Sequence, residues 1–303
     1  MANRIKEKYM AGKRYFDYPM LFLVIFLICF GLVMIYSTSS YKSTVTYGNS
    51  YHWLLRQAVA IVLGAVAMVV CCKLDYRIIK SEKFGNGCYW ASIVLLVLVL
   101  IIGAAKKGAV RWISIAGFQF QPSEVSKILV VIYLANRLSA NAHKIRTFKD
   151  SIVIVLPTVP IIALIVTQNL STALVVCSMI GVMLFVVSPK MKELMLTAGG
   201  GIILLFVYLL TANSYRNERV QIWLHPESHK KGFQTMQALY AIGSGGIFGK
   251  GLGQSMQKMG FIPESHNDMI FSIICEELGL FGAVCLILVF VALIFRMLLI
   301  ALN

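Results

Sequence analysis

A chain of 303 residues that is 58% hydrophobic and only 14% charged, with a mean hydropathy of +0.78, lacks the polar surface a soluble domain needs. Its net charge of +15 lies between apolar runs rather than along one basic stripe, which argues against a nucleic-acid partner and for the positive-inside bias of a membrane protein. Seven cysteines, Cys29, Cys71, Cys72, Cys88, Cys177, Cys275 and Cys285, sit in or beside those runs without CxxC or metal-ligand spacing, so neither a disulfide nor a zinc framework is expected.

The expected architecture is all-α: a polytopic membrane helix bundle forming one integral domain over residues 1–303. Residues 1–18 carry Arg4, Lys6, Lys8, Lys13 and Arg14, a basic tail expected on the cytoplasmic side. The first span, about Pro19 to Ser37, is too long for a signal-peptide core, and the STSS after it lacks a cleavage signal. A polar loop from Thr38 to His52 holds Lys42, and a second span runs from about Trp53 to Cys72. Lys73, Arg77, Lys80 and Lys83 mark the next loop as inner, and a third span covers about Gly87 to Gly103.

An outer loop, AAKKGAVRWISIAGFQFQPS, leads to a fourth span starting near Glu124, after which Arg137, Lys144, Arg146 and Lys149 return to the inside. Span five covers about Ser151 to Val166, TQNLST turns directly into span six at about Ala173 to Val187, and Lys190 and Lys192 lie in a short inner link. Span seven runs from about Leu194 to Ala212. The short loops then hold fifteen Lys or Arg on the inner side (five, four, four and two) against four outside, Lys42, Lys106, Lys107 and Arg111. Residues 213–268 form one long loop expected outside; its six Lys or Arg do not count, because long loops translocate largely regardless of charge. An eighth span lies within about Met269 to Leu302, making about eight in all. No internal repeat supports an inverted-repeat transporter.

Chemistry-bearing residues concentrate at the predicted outer face. Glu124 and Lys127, three apart on a helix, project from one face and can pair, either as a local ion pair at the interface or as the wall of an outward-opening polar cavity. Lys258, Glu264, His266 and Asp268 fall within eleven positions just before the last apolar run. Asn267 or Asp268 can cap the following helix; the alternative is that Asp268 is a general base tuned by His266 or Lys258. Gly243, Gly245, Gly246, Gly249, Gly251 and Gly253 make a turn-rich or re-entrant segment without the GK[ST] of a nucleotide loop. Of Glu276 and Glu277, two turns beyond Asp268, one can face the bundle interior.

Four segments, RWISIAGFQFQPSEVSK (111–127), YRNERV (215–220), QALYAIGSGGIFGKGLGQSMQK (237–258) and FIPESHNDMIFSIICEELG (261–279), closely resemble the SEDS proteins, the peptidoglycan glycosyltransferases that include FtsW, RodA and SpoVE. GLGQSMQK followed by FIPESHND is more similar to the FtsW and SpoVE branch. The resemblance implies polymerisation of lipid II at the outer face of the bacterial cytoplasmic membrane, for division or sporulation, with a class B penicillin-binding protein and other divisome membrane proteins as partners. It implies that the acceptor GlcNAc 4-hydroxyl attacks the donor's anomeric carbon with inversion while undecaprenyl pyrophosphate leaves, and that Asp268 is the base. Arg111, Lys127, Arg216, Arg219 and Lys258 are then candidates for the pyrophosphate, and Gln121, Glu124, Glu264 and His266 for further substrate contacts. No cofactor is required by the resemblance, which leaves room for a divalent cation, Mg2+ or Mn2+.

Two departures stand out. Asn169 occupies the position of an aspartate in the family's QPDLGT-like link, and the chain stops in or just after its eighth span where the family has ten. A fragment or a shortened homologue is expected. A lipid II flippase or other lipid transporter, or a non-catalytic membrane subunit, are the rival readings.

Overall fold

Asp17 starts the first helix: its carboxylate accepts from the Met20 N–H at 2.8 Å, and Pro19 follows at the first turn, where a missing N–H costs nothing. The computed structural model describes residues 17–106, 109–115, 118–145, 148–187, 221–228 and 232–302. Among these, α1 (Tyr18–Tyr47), α2 (His52–Lys73), α3 (Glu82–Ile102), the stretch Lys149–Gln168, α7 (Leu170–Val187) and α9 (Ile270–Leu302) are long and apolar enough to cross a membrane. The Lys149–Gln168 stretch is α5 (Phe148–Val155) and α6 (Val159–Gln168), joined through a 3-10 turn containing Pro157, and α8 (Phe233–Ser244) is a shorter helix that runs into the glycine-rich segment. The helical membrane architecture is as expected. The seventh span and residues 1–16 of the tail lie outside the described residues.

The fourth span is present as α4 (Pro122–Ala140) but is not among the six, because it carries Glu124, Lys127 and Arg137. Burial explains how it tolerates them: Ser123, Ser126, Val130, Tyr133, Leu134 and Leu138 face protein. The first span also differs from expectation. The predicted polar loop after Ser37 is helical as far as Tyr47, and the helix ends at Gly48 with φ +69 and its N–H bonded to Thr44 O at 3.0 Å.

The described chain divides into two compact units, residues 72–212 and residues 1–71 with 213–303. In the first, α3 and α4 pack closely where Gly85 meets Asn136; a Cβ on Gly85 would lie 2.9 Å from Asn136 Nδ2. Leu96, Val130, Leu134, Ile161, Ile165 and Val176 form the centre of its core. Asn169 separates α6 from α7 in extended conformation, and its side chain accepts from Ser171 N–H at 3.1 Å, a capping task. Between α3 and α4 lies a small antiparallel meander of β1 (Ala104–Lys106), β2 (Ala109–Ile115) and β3 (Phe118–Phe120), with Ile113 opposite Phe120.

In the other unit α1 and α9 run antiparallel. Asp17 pairs with Arg296 at one end, and Ser37 meets Glu277 at the other. Ser37 lies twenty residues after Asp17, and Glu277 nineteen before Arg296. At about 1.5 Å per residue, both stretches measure about 30 Å, the thickness of a bilayer's hydrocarbon. The two polar clamps thus bracket an apolar slab, and the last ten residues of α1 project beyond it.

Candidate active site

The site grows from a break in α9. Gly279 has φ 70 and ψ −170, which interrupts the helical ladder and frees backbone groups on both sides. The glycine-rich segment fills the gap. Lys250 N–H and Gly251 N–H donate to Glu276 O and Glu277 O, both at 2.9 Å, while Leu280 N–H and Phe281 N–H donate to Gly246 O at 2.9 Å and Ile247 O at 3.0 Å. The approach is possible only for glycine: a Cβ on Gly249 would lie 2.2 Å from Glu277 O, and one on Gly245 2.0 Å from Cys275 O. The segment expected to be turn-rich is therefore stitched into the helix it precedes.

That stitch brings a lysine to each of two buried glutamates. Lys258 Nζ lies 2.7 Å from Glu277 Oε1 and donates to Ser37 Oγ at 3.0 Å, and Ser37 Oγ stands 2.7 Å from both Glu277 carboxylate oxygens. Lys250 Nζ lies 2.7 Å from Glu276 Oε1; Ser255 Oγ donates to Glu276 Oε2, and the Met256 and Gln257 N–H groups approach the same carboxylate at 3.3 and 3.4 Å. Both glutamates are fully buried and Lys258 is 5% exposed. Buried charges persist only when paired and hydrogen-bonded in this way. Sequence left open which glutamate turns inward; both do.

Residues 255–269 continue over the projecting end of α1. Lys42 Nζ donates to Pro263 O at 2.6 Å, and Ser265 Oγ to Thr38 O at 3.2 Å. His266 is buried and lays its ring against Trp53 at the start of α2, with centroids 4.8 Å apart. Burial pushes its imidazole below the usual value, Lys42 adds to the shift, and Glu264 opposes it. Glu264 is half-buried and accepts from Asn267 Nδ2 at 3.0 Å. Asp268 is exposed, and its carboxylate has no partner among the described residues. The expected side-chain cap of α9 is not formed by either Asn267 or Asp268, because Asn267 turns back to Glu264.

On the other unit, Glu124 and Lys127 stand 2.9 Å apart at the start of α4, the glutamate exposed and the lysine half-buried. Gln121 precedes them with Nε2 donating to Ser123 Oγ at 3.0 Å, and Arg111 is placed in β2. Arg216 and Arg219 lie outside the described residues. A resident Mg2+ or Mn2+ wants several carboxylate oxygens together. Here Glu276 and Glu277 are each engaged by a lysine, and no group of three His, Cys, Asp or Glu among the described residues can hold an ion. The site residues that sequence reasoning missed are Ser37, Lys250, Ser255, Lys42 and Trp53. Their signal was faint: a run of Ser and Thr at the end of an apolar span, and an aromatic opening the next.

A set of membrane-crossing helices carrying a clamped polar loop at one end defines a polytopic integral membrane protein. The chain belongs to the FtsW/RodA/SpoVE family, described as cell cycle protein, whose family model matches residues 18–303. It is 35% identical over 291 residues to a probable peptidoglycan glycosyltransferase FtsW of Geobacter metallireducens, covering 93% of this chain and 76% of that protein. A protein of the same description from Methylococcus capsulatus is 36% identical over 306 residues, covering 97% and 75%. Among solved structures, a chain from the work on structural coordination of polymerization and crosslinking by a peptidoglycan synthase complex superposes with a TM-score of 0.75 at 28% identity, covering 96% of this chain and 79% of that one. The rod shape determining protein RodA of Thermus thermophilus gives a TM-score of 0.65 at 27% identity, covering 95% and 76%. The resemblance read from the four motifs is borne out.

Proposed function

We propose that this chain is a peptidoglycan glycosyltransferase that polymerises lipid II at the outer face of the bacterial cytoplasmic membrane, in division or sporulation. Family membership supports the activity, and the observation that carries the mechanism is Asp268: an exposed carboxylate, unpartnered among the described residues, on a loop whose flanking residues are clamped by buried ion pairs. An ionised carboxylate free of internal partners can accept a proton from a bound hydroxyl. Asp268 takes the proton of the acceptor 4-hydroxyl, the oxygen forms its bond to the donor anomeric carbon from the face opposite the leaving group, and the carbon–oxygen bond to undecaprenyl pyrophosphate breaks with its electron pair. Inversion follows from the single displacement.

Lys258 and Lys250 hold the loop in this reading, since their charges are neutralised within the protein. Lys42 and Arg56 at the projecting ends of α1 and α2, with Arg216 and Arg219, are the cations for the pyrophosphate. Glu124, Lys127, Gln121 and Arg111 meet the polar head of the lipid on their own unit. A class B penicillin-binding protein cross-links the product, in keeping with the peptidoglycan synthase complex named above, and the N-terminus is cytoplasmic.

Polymerisation of purified lipid II in liposomes, comparing the wild type with Asp268→Asn, tests the reading. Loss of a general base is expected to lower the rate by about 10²–10⁴-fold while the variant remains folded. A variant that makes glycan at the wild-type rate removes Asp268 from the mechanism. Lipid movement without polymer in both proteins would point to a transporter instead.

A further inference from the structure

Because the Asp268 carboxylate has no hydrogen-bond or ion-pair partner among the described residues, its place is inherited from its neighbours. On one side Met269 packs against Ala238, Ala241, Ile262 and Ile273. On the other, Pro263 and Ser265 are tied to α1, and His266 sits on Trp53 with a 36° angle between the rings. His266 is 9% exposed, two residues from Asp268, and the only one of these ties that can gain a charge. Among the described residues neither its buried Nδ1 nor Nε1 of Trp53 has a hydrogen-bond partner.

We propose that His266 is a positioning residue for this site: a neutral imidazole seated on Trp53 that fixes where Asp268 stands, and that leaves its seat when it takes up a proton. The positioning half rests on the reading of Asp268 as the base; the seat itself does not. The charged groups that act on the imidazole are Lys42 from α1 and Glu264 from the loop, while His52 and Arg56 of α2 lie against the Trp53 ring on which it rests. Arg56 already holds its guanidinium 5.6 Å from the Trp53 ring, so the aromatic face is shared with a cation. A second positive charge would be buried beside Lys42 with one N–H lacking an acceptor, and only Glu264 would favour it.

The sign follows from the lowered folded-state value. The seated imidazole resists a proton that the unseated one binds, so the seat is fully stable above about 6.5, the ordinary value, and weakens as pH falls below it. Acid should therefore loosen the loop that carries Asp268.

The test uses the full chain in liposomes, with two readouts. Without lipid II, tryptophan emission is followed from pH 8 to 5; a charged imidazole against an indole changes its emission. The wild type is expected to show a reversible step below pH 6.5, absent from both His266→Phe and Trp53→Phe. With lipid II, His266→Phe keeps the ring contact and is expected to retain polymerisation within about threefold at pH 7.5 and to hold it to lower pH than the wild type. His266→Ala is expected to lose about tenfold or more in kcat with KM changed less than twofold, because a misplaced base slows chemistry more than binding. No emission step, or a step that persists in His266→Phe, overturns the seat. Equal loss of activity in His266→Phe and His266→Ala at pH 7.5 overturns positioning, since it means the nitrogen touches substrate. A wild-type rate in Asp268→Asn beside an intact emission step would sink the catalytic reading and leave the seat standing.

Discussion

Two ion pairs of nearly equal length carry different energetic weight at the residue scale. Lys258 and Glu277 meet at 2.7 Å with side chains 5% and 0% exposed; Lys127 and Glu124 meet at 2.9 Å with 21% and 55% exposed. In the second pair, water screens the attraction and solvates whichever charge is left, so removal costs about 0–1 kcal/mol. In the first, deleting the lysine strands a carboxylate that water cannot reach. Lys258→Met is accordingly expected to destabilise by about 3–5 kcal/mol, and Lys258→Met with Glu277→Leu to recover most of it, because the pair's own net contribution is small. Thermal unfolding in detergent reads both, and a single variant as stable as the wild type would mean the pair does not form.

At the scale of elements, the glycines divide by what surrounds them. Gly246 and Gly249 both have positive φ, +58 and +79, but a Cβ on Gly246 meets nothing within 4 Å while one on Gly249 would overlap Glu277 O. Gly246→Ala should cost only the left-handed penalty, about 1–2 kcal/mol. Gly249→Ala must also push the segment out of the break in α9, undoing the stitch that brings Lys250 to Glu276. Its expected signature is rapid proteolysis within residues 245–258 and loss of polymerisation; a variant as resistant as Gly246→Ala would show that the stitch is dispensable. None of this was legible beforehand. The apolar run of α9 reads as one span because the break is a single glycine whose partners lie thirty residues earlier. Likewise residues 38–47 read as a polar loop because the groups that tie them down, Ser265 on Thr38 O and Pro263 O on Lys42, come from more than 200 positions away. The spans themselves were readable, since lipid exposure demands long apolar runs whatever the tertiary contacts. The meander of β1, β2 and β3 has a local signal, the Val, Trp and Ile of VRWISI, too short and too polar in its surroundings to read as a span. Asp268 and His266 were found by their motif, whereas the partners of Glu276 and Glu277 required the fold.

For the whole molecule, sidedness decides whether the proposed chemistry is possible, because an externally made polymer requires the 255–269 loop outside. The charge bias of the short loops and the slab bracketed by Asp17–Arg296 and Ser37–Glu277 agree on which ends share a side: Thr46 stands at the loop end of α1, and Lys73 at the far end of α2. With the seven native cysteines replaced, Thr46→Cys is expected to react with a membrane-impermeant maleimide on intact cells, and Lys73→Cys only after permeabilisation. Both positions are exposed in the structure, so failure to label would not arise from burial. Labelling of both from one side would mean that α2 does not cross. The reverse pattern would place Asp268 and its clamped loop in the cytoplasm, where the polymer could not be laid down outside, and the proposed reaction would fall while the family membership and the geometry of the loop stood unchanged.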